Sequence, residues 1–258
     1  MKLKQCRLLL TTLLTGIAIQ SGLIAQGPKD VPQTPGAEPH NIASFWELRD
    51  EPGYGGMAQL HPKPAVLTPE YQKKMDEMRE AMQHPKPGAV VGGASRYCTP
   101  IGVPFIMGQS PPLDIVQGKD EILIFSEQHS SARHIYIDGR KHPDIADMQL
   151  TTDGHSIGHW DGDTLVVDTT GFSDEGFNFT PGGGSRRSTT HMIERFTLID
   201  NGNKLRIQTR WSDPSIYVEP PSYELTFFRS DPKTFAMEEF CDAGDVKQGQ
   251  SVIAPAQK

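Results

Sequence analysis

Between His191 and Trp211 the chain reads HMIERFTLIDNGNKLRIQTRW, an alternating run broken once, at Asn201-Gly202. Asn-Gly between alternating hydrophobic segments is the strongest short-range hairpin signal, because both central residues of the tight turn take positive φ. Centring the turn there pairs Leu198 with Leu205, Phe196 with Ile207, Glu194 with Thr209 and Met192 with Trp211. These eight residues share one face, while His191, Arg195, Thr197, Lys204, Arg206, Gln208 and Arg210 share the other. A one-residue slip would bury the basic row, so the first face is core. Glu194 is the only carboxylate on it. A lone buried charge is costly, so Glu194 must either meet a cation or be protonated with a raised pKa. Either state suits a general acid/base or a ligand-orienting group; each also suits a structural pair or a position at a barrel mouth.

A second hairpin is read from GHSIGHWDGDTLVVDTT, residues 154–170, turning at Asp161-Gly162. That turn sets His155 opposite Asp168, Ile157 opposite Val166 and His159 opposite Thr164, all on one face. Trp160, Leu165 and Val167 lie on the other and look like core. His155 across from Asp168 forms either a base with its orienting carboxylate or a plain surface contact. His155 and His159 do not make a metal motif, since four residues of strand span about 13 Å. Gly154 and Gly158 argue against the helix that would bring them together.

From Ile101 onward the pattern is of strands separated by local turns: Leu113–Gln117, Glu121–Ser126, Arg133–Asp138, the four strands of the two hairpins, Tyr223–Ser230 and Thr234–Cys241. The fold class is therefore all-β, an antiparallel meander that must hide its edges by closing into a lipocalin-like barrel or, alternatively, by folding into a β-sandwich. One helix precedes it, over about residues 69–83. Thr68 is its N-cap, Pro69 its first position, and Tyr71, Met75, Met78 and Met82 its packing stripe.

The N-terminus has Lys2, Lys4 and Arg7 before an apolar stretch from Leu8 to Ile24. It reads as a signal peptide over residues 1–25 rather than a membrane anchor, since Thr11, Thr12, Thr15 and Gln20 interrupt the run. Residues 26–41 are Pro- and Gly-rich and read as a flexible arm, 42–245 as a single β-rich domain and 246–258 as a tail. The net charge of −7 grows more negative once the three leader cations are removed, which argues against nucleic acid and anionic membranes as partners. The exported, periplasmic or extracellular compartment is oxidising, so Cys98 and Cys241 are candidates for a disulfide. The alternative is two core thiols. Neither cysteine has the neighbours of a metal site, and no cofactor motif is read. The Gly-rich loop Pro181–Arg187 lacks the Gly-Lys-Ser/Thr ending of a phosphate loop.

Several strings together resemble a widespread family of exported bacterial proteins: Leu67-Thr68-Pro69-Glu70, Tyr97-Cys98-Thr99-Pro100-Ile101-Gly102-Val103-Pro104, Ile135-Tyr136-Ile137-Asp138-Gly139-Arg140-Lys141-His142-Pro143, the long Gly154–Thr169 block and His191–Phe196 with its later Asp213-Pro214. The resemblance spans roughly residues 65–245 and implies a bacterial origin and an exported β-rich fold, but no particular reaction. Ser215–Pro221 and Phe240–Gly244 depart from the family pattern, so any pocket they shape differs.

Three functions are open to such a chain. The first, and the leading one, is a barrel that encloses a small, largely apolar ligand oriented by Glu194, with His155 as a second orienting group and His159, Tyr136 and Trp211 as contacts. The second is a cofactor-independent lyase, isomerase or hydrolase using Glu194, His155 and Asp168 as acid/base groups. The third is a structural or envelope-interaction protein with a filled core. If Glu194, His155 and Asp168 converge in a cavity, the first two survive; if the interior is filled and Glu194 meets an arginine, the third is favoured.

Overall fold

Strand alternation in this sequence leaves one apolar face per strand, and nine strands bury those faces together by closing a barrel. The computed structural model describes residues 40–49, 63–84, 89–90, 102–108, 112–127, 131–173, 180, 183–235, 237 and 251–252. These all fall within the unit Thr34–Lys258. The signal peptide expected over residues 1–25, Cys98 and Cys241 lie outside the described residues. In chain order the elements are β1 (Ser44–Glu47), β2 (Val66–Leu67), α1 (Pro69–Gln83), β3 (Ala89–Val90), β4 (Leu113–Gln117), β5 (Glu121–Ser126) and β6 (Ser131–Tyr136). There follow β7 (His155–Asp161), β8 (Thr164–Thr170), β9 (His191–Ile199), β10 (Lys204–Ser212), β11 (Tyr217–Glu219), β12 (Ser222–Arg229) and β13 (Ser251–Val252).

The barrel runs β1-β12-β10-β9-β8-β7-β6-β5-β4 and closes from β4 back to β1. It is a barrel and not a sandwich, with one helix, but two details differ from a simple meander. First, β6 and β7 are parallel, Ile135 beside Ser156 and Tyr136 beside Ile157. Parallel neighbours cannot be joined by a tight turn, so residues 137–154 form a crossover that returns along the barrel. Second, Thr234 and Phe235 are not strand, and the ninth place is taken by β1, whose Trp46 is fully buried. Two short pairings, β2 with β11 and β3 with β13, stand outside the barrel.

The β9–β10 hairpin has the expected register: Leu198–Leu205, Phe196–Ile207, Glu194–Thr209 and Met192–Trp211. Asn201 and Gly202 at its turn both have positive φ. In the β7–β8 hairpin the turn moves by one residue. Asp161 pairs with Thr164, so Gly162 occupies the first central position at φ +56°, a place that favours glycine. His155 therefore faces Thr170 rather than Asp168, which pairs with Ile157. One residue of turn shift moves the pairing by two, so the membership of each face is unchanged.

Helix α1 begins as the sequence requires, the Tyr71 N–H donating to the Thr68 side chain at 3.4 Å. Its stripe is only partly used: Tyr71 is buried and its hydroxyl bonds Ser185 Oγ, whereas Met82 is exposed. Among the described residues no helix is long and apolar enough to cross a membrane.

Candidate functional site

Two groups of polar side chains stand out, on opposite faces of the same wall. The inner one is built by alternation. Arg133 of β6 shares its phase with Ile135, Ser156 lies on the inward face of β7, Thr169 on that of β8 and Glu194 on that of β9; all five are essentially fully buried. Arg133 Nη1 donates to Glu194 Oε1 at 3.2 Å, and Nη2 donates to Oε2 of the same carboxylate, a bidentate pair. Nη2 also donates to Thr169 Oγ1 at 2.9 Å, and Nε to Ser156 Oγ at 3.3 Å; the two hydroxyls bond each other at 2.8 Å. Of the two states open to Glu194, the geometry has the cation-paired one. Burial and the nearby Glu194 charge push the Tyr223 hydroxyl, next to this network, well above the ordinary tyrosine range.

The outer group follows from the opposite parity. His155 on β7, Asp168 on β8 and His191 on β9 all point outward, and the crossover lays His142 over them. His191 Nδ1 lies 2.8 Å from Asp168 Oδ1. His142 Nε2 lies 3.6 Å from Asp168 Oδ2, within ion-pair range but longer than a hydrogen bond. His142 Nδ1 and His155 Nδ1 are 2.8 Å apart, so one ring donates and the other accepts. Tyr136 packs its ring on His155 at 5.4 Å, and the Arg140 guanidinium covers Tyr136 at 3.8 Å while pairing with Asp138. Gly154 makes the turn into this cluster: at φ +67°, with Thr170 O where a Cβ would stand, it admits no larger residue without strain.

The local charges sort these histidines. The hydrogen bond to Asp168 raises the His191 pKa against the opposing effect of burial. Burial lowers that of His142, outweighing Asp168, and the His191 charge adds to the lowering. Burial, then His142, then Arg140 lower that of His155.

Of the residues singled out from sequence, Glu194 and Trp211 are inside the barrel and fully buried. His155, Asp168, His159 and Tyr136 are on the outside, with His159 exposed. Glu194 does not converge with His155 and Asp168, because neighbouring strands aim them at opposite faces. Sequence reasoning missed three participants. Arg133 had a usable signal, since it alternates in phase with Ile135. His191 was placed correctly on the outer face of its hairpin but not connected to Asp168. His142 carries no local signal, because its position depends on the parallel crossover.

Elsewhere on the outer surface, Lys63, Arg210, Val218, Glu219, Pro220 and Ser222 line an open groove of about 420 Å³. Lys63 Nζ lies 3.4 Å from Glu219 there. Among the described residues, no group of three or more His, Cys, Asp or Glu side chains is placed to hold a metal ion. Neither the protein-family models nor the curated proteins contain a match to this chain.

Proposed function

We propose that this chain is an exported, filled-core β-barrel that acts through its outer surface, as a structural or envelope-interaction protein. The observation that carries the reading is the Arg133–Glu194 pair. Both side chains are 1% exposed and occupy the interior where an enclosed ligand would sit, and their hydrogen bonds are completed by Ser156 and Thr169 rather than left open toward a guest. Around them Ile122, Ile124, Leu165, Val167, Phe196, Leu205 and Ile207 are at most 1% exposed. Ligand cavities instead present a few polar groups converging on open space. Export is supported by the charged and apolar leader at Lys2–Ile24 and by the resemblance of the Gly154–Thr169 block to exported bacterial proteins.

An enclosed apolar ligand is the competing proposal, and one titration separates the two. A fluorescent long-chain fatty acid added to the folded protein is expected to give no saturable signal at micromolar concentration. A one-to-one isotherm there, competed by unlabelled fatty acid, would return the function to the barrel interior.

A further inference from the structure

Residues 141–147 of the crossover are exposed except for His142. Beyond them the crossover is tied down: Thr151 N–H donates to Gly171 O at 3.3 Å, and Ser173 N–H donates to Thr151 O at 2.8 Å. Before them, Arg140 is held by Asp138 and Tyr136. Met148, half-buried with its sulfur against Gly171, belongs to that far anchor. Between the anchors, over residues 141–147, His142 is the one side chain turned to the barrel wall, and its closest contact is an imidazole facing an imidazole.

Such a contact has a definite proton requirement. At 2.8 Å one Nδ1 must carry a hydrogen and the other must offer a lone pair. When both rings are cationic, two N–H groups point at each other and two like charges adjoin, so the bond becomes a repulsion. We propose that His142 and His155 form a proton-operated latch: when both become cationic, the segment Lys141–Asp147 lifts from the outer face of β7 and β8.

The groups facing the latch set its direction. Asp168 of β8 attracts a proton to His142, but it is shared with His191 of β9, which takes the shorter bond. Tyr136 of β6 covers His155, and Arg140 of the crossover adds positive charge nearby. As pH falls, His191 protonates first, because its folded pKa is raised, and its charge opposes a second proton on His142. The folded pKa values of His142 and His155 are both lowered, so the closed latch contributes its full stability above the ordinary histidine value of about 6.5. It loses that stability as pH falls through the depressed values. The His191–Asp168 contact has the opposite sign: its contribution is complete below about 6.5 and is lost as pH rises. It therefore cannot mimic an acid-induced opening.

Hydrogen exchange of the full chain tests the latch, with protection measured relative to the unstructured rate at each pH. Between about pH 7.5 and about pH 5, the Asp147 and Met148 amides, which donate to Asp144 O and Ile145 O, are expected to lose protection about tenfold while those of β9 and β10 hold theirs. His155→Gln, which cannot titrate, is expected to flatten that profile with the barrel amides unchanged. His84→Gln, which removes a histidine paired with Glu80 at the end of α1, is expected to leave it as in the parent. Equal protection of the Asp147 and Met148 amides at both pH values in the parent chain would overturn the proposal. So would a tenfold loss that persists in His155→Gln, or one that disappears in His84→Gln.

Discussion

Replacing Glu194 by glutamine is expected to lower the unfolding free energy by about 3–5 kcal/mol, the cost of leaving one member of a buried pair uncompensated. At 2–4 °C per kcal/mol for a domain of this size, the melting temperature should fall by roughly 6–20 °C. Shape is nearly conserved and an amide oxygen can still accept from Arg133, so the loss measures the stranded guanidinium charge. Arg133 has no escape to water at 1% exposure, and its remaining partners, Ser156 and Thr169, are neutral. The double replacement Arg133→Met with Glu194→Leu removes the charge as well as its partner. It is expected to recover to the parent stability or exceed it by about 1–4 kcal/mol, because the desolvation penalty goes with the ions while Ser156 and Thr169 still bond each other. Thermal unfolding of the three proteins decides the matter. A single mutant as stable as the parent would mean that the pair reaches water, and would remove the main support for a filled-core barrel.

Trp211→Ala is expected to cost a further large amount, about 3–5 kcal/mol, for the cavity it opens. Trp211 is fully buried, faces Met192 across the β9–β10 ladder and packs its ring 6.0 Å from that of Phe172. Trp211→Phe retains an aromatic ring in that space and should lose less. Urea unfolding at constant slope gives both values. If Trp211 instead lined an open ligand site, its truncation would be nearly neutral for stability and would change only binding.

The two hairpins show how far local rules reach. At Asn201-Gly202 the turn chemistry and the polarity of both faces agree, so every pairing from Met192–Trp211 to Leu198–Leu205 was legible, and with it the inward aim of Glu194. At Asp161-Gly162-Asp163 two adjacent dipeptides can each make a turn, and alternation does not choose between them because a shift of two residues conserves the faces. His155 was therefore put on the correct side but opposite the wrong residue. The parallel β6–β7 step leaves no mark in either strand; it is a property of how the whole sheet closes. His142 was invisible for that reason. The Arg133–Glu194 pair was half legible: the sequence left Glu194 either paired with a cation or protonated, and the phase of Arg133 with Ile135 could have chosen the first.

The seam between β1 and its two neighbours bears on how the chain folds. Trp46 stands beside Arg229 on one side and Leu113 on the other, so the earliest barrel strand in the chain has to find the latest. Contacts between residues so far apart in sequence carry a high loop-closure cost and form slowly. Until they form, β4 and β12 are both open edges able to pair with another copy. The seam is thus the point at which refolding and self-association compete, and dilution should favour the closed barrel over the aggregate.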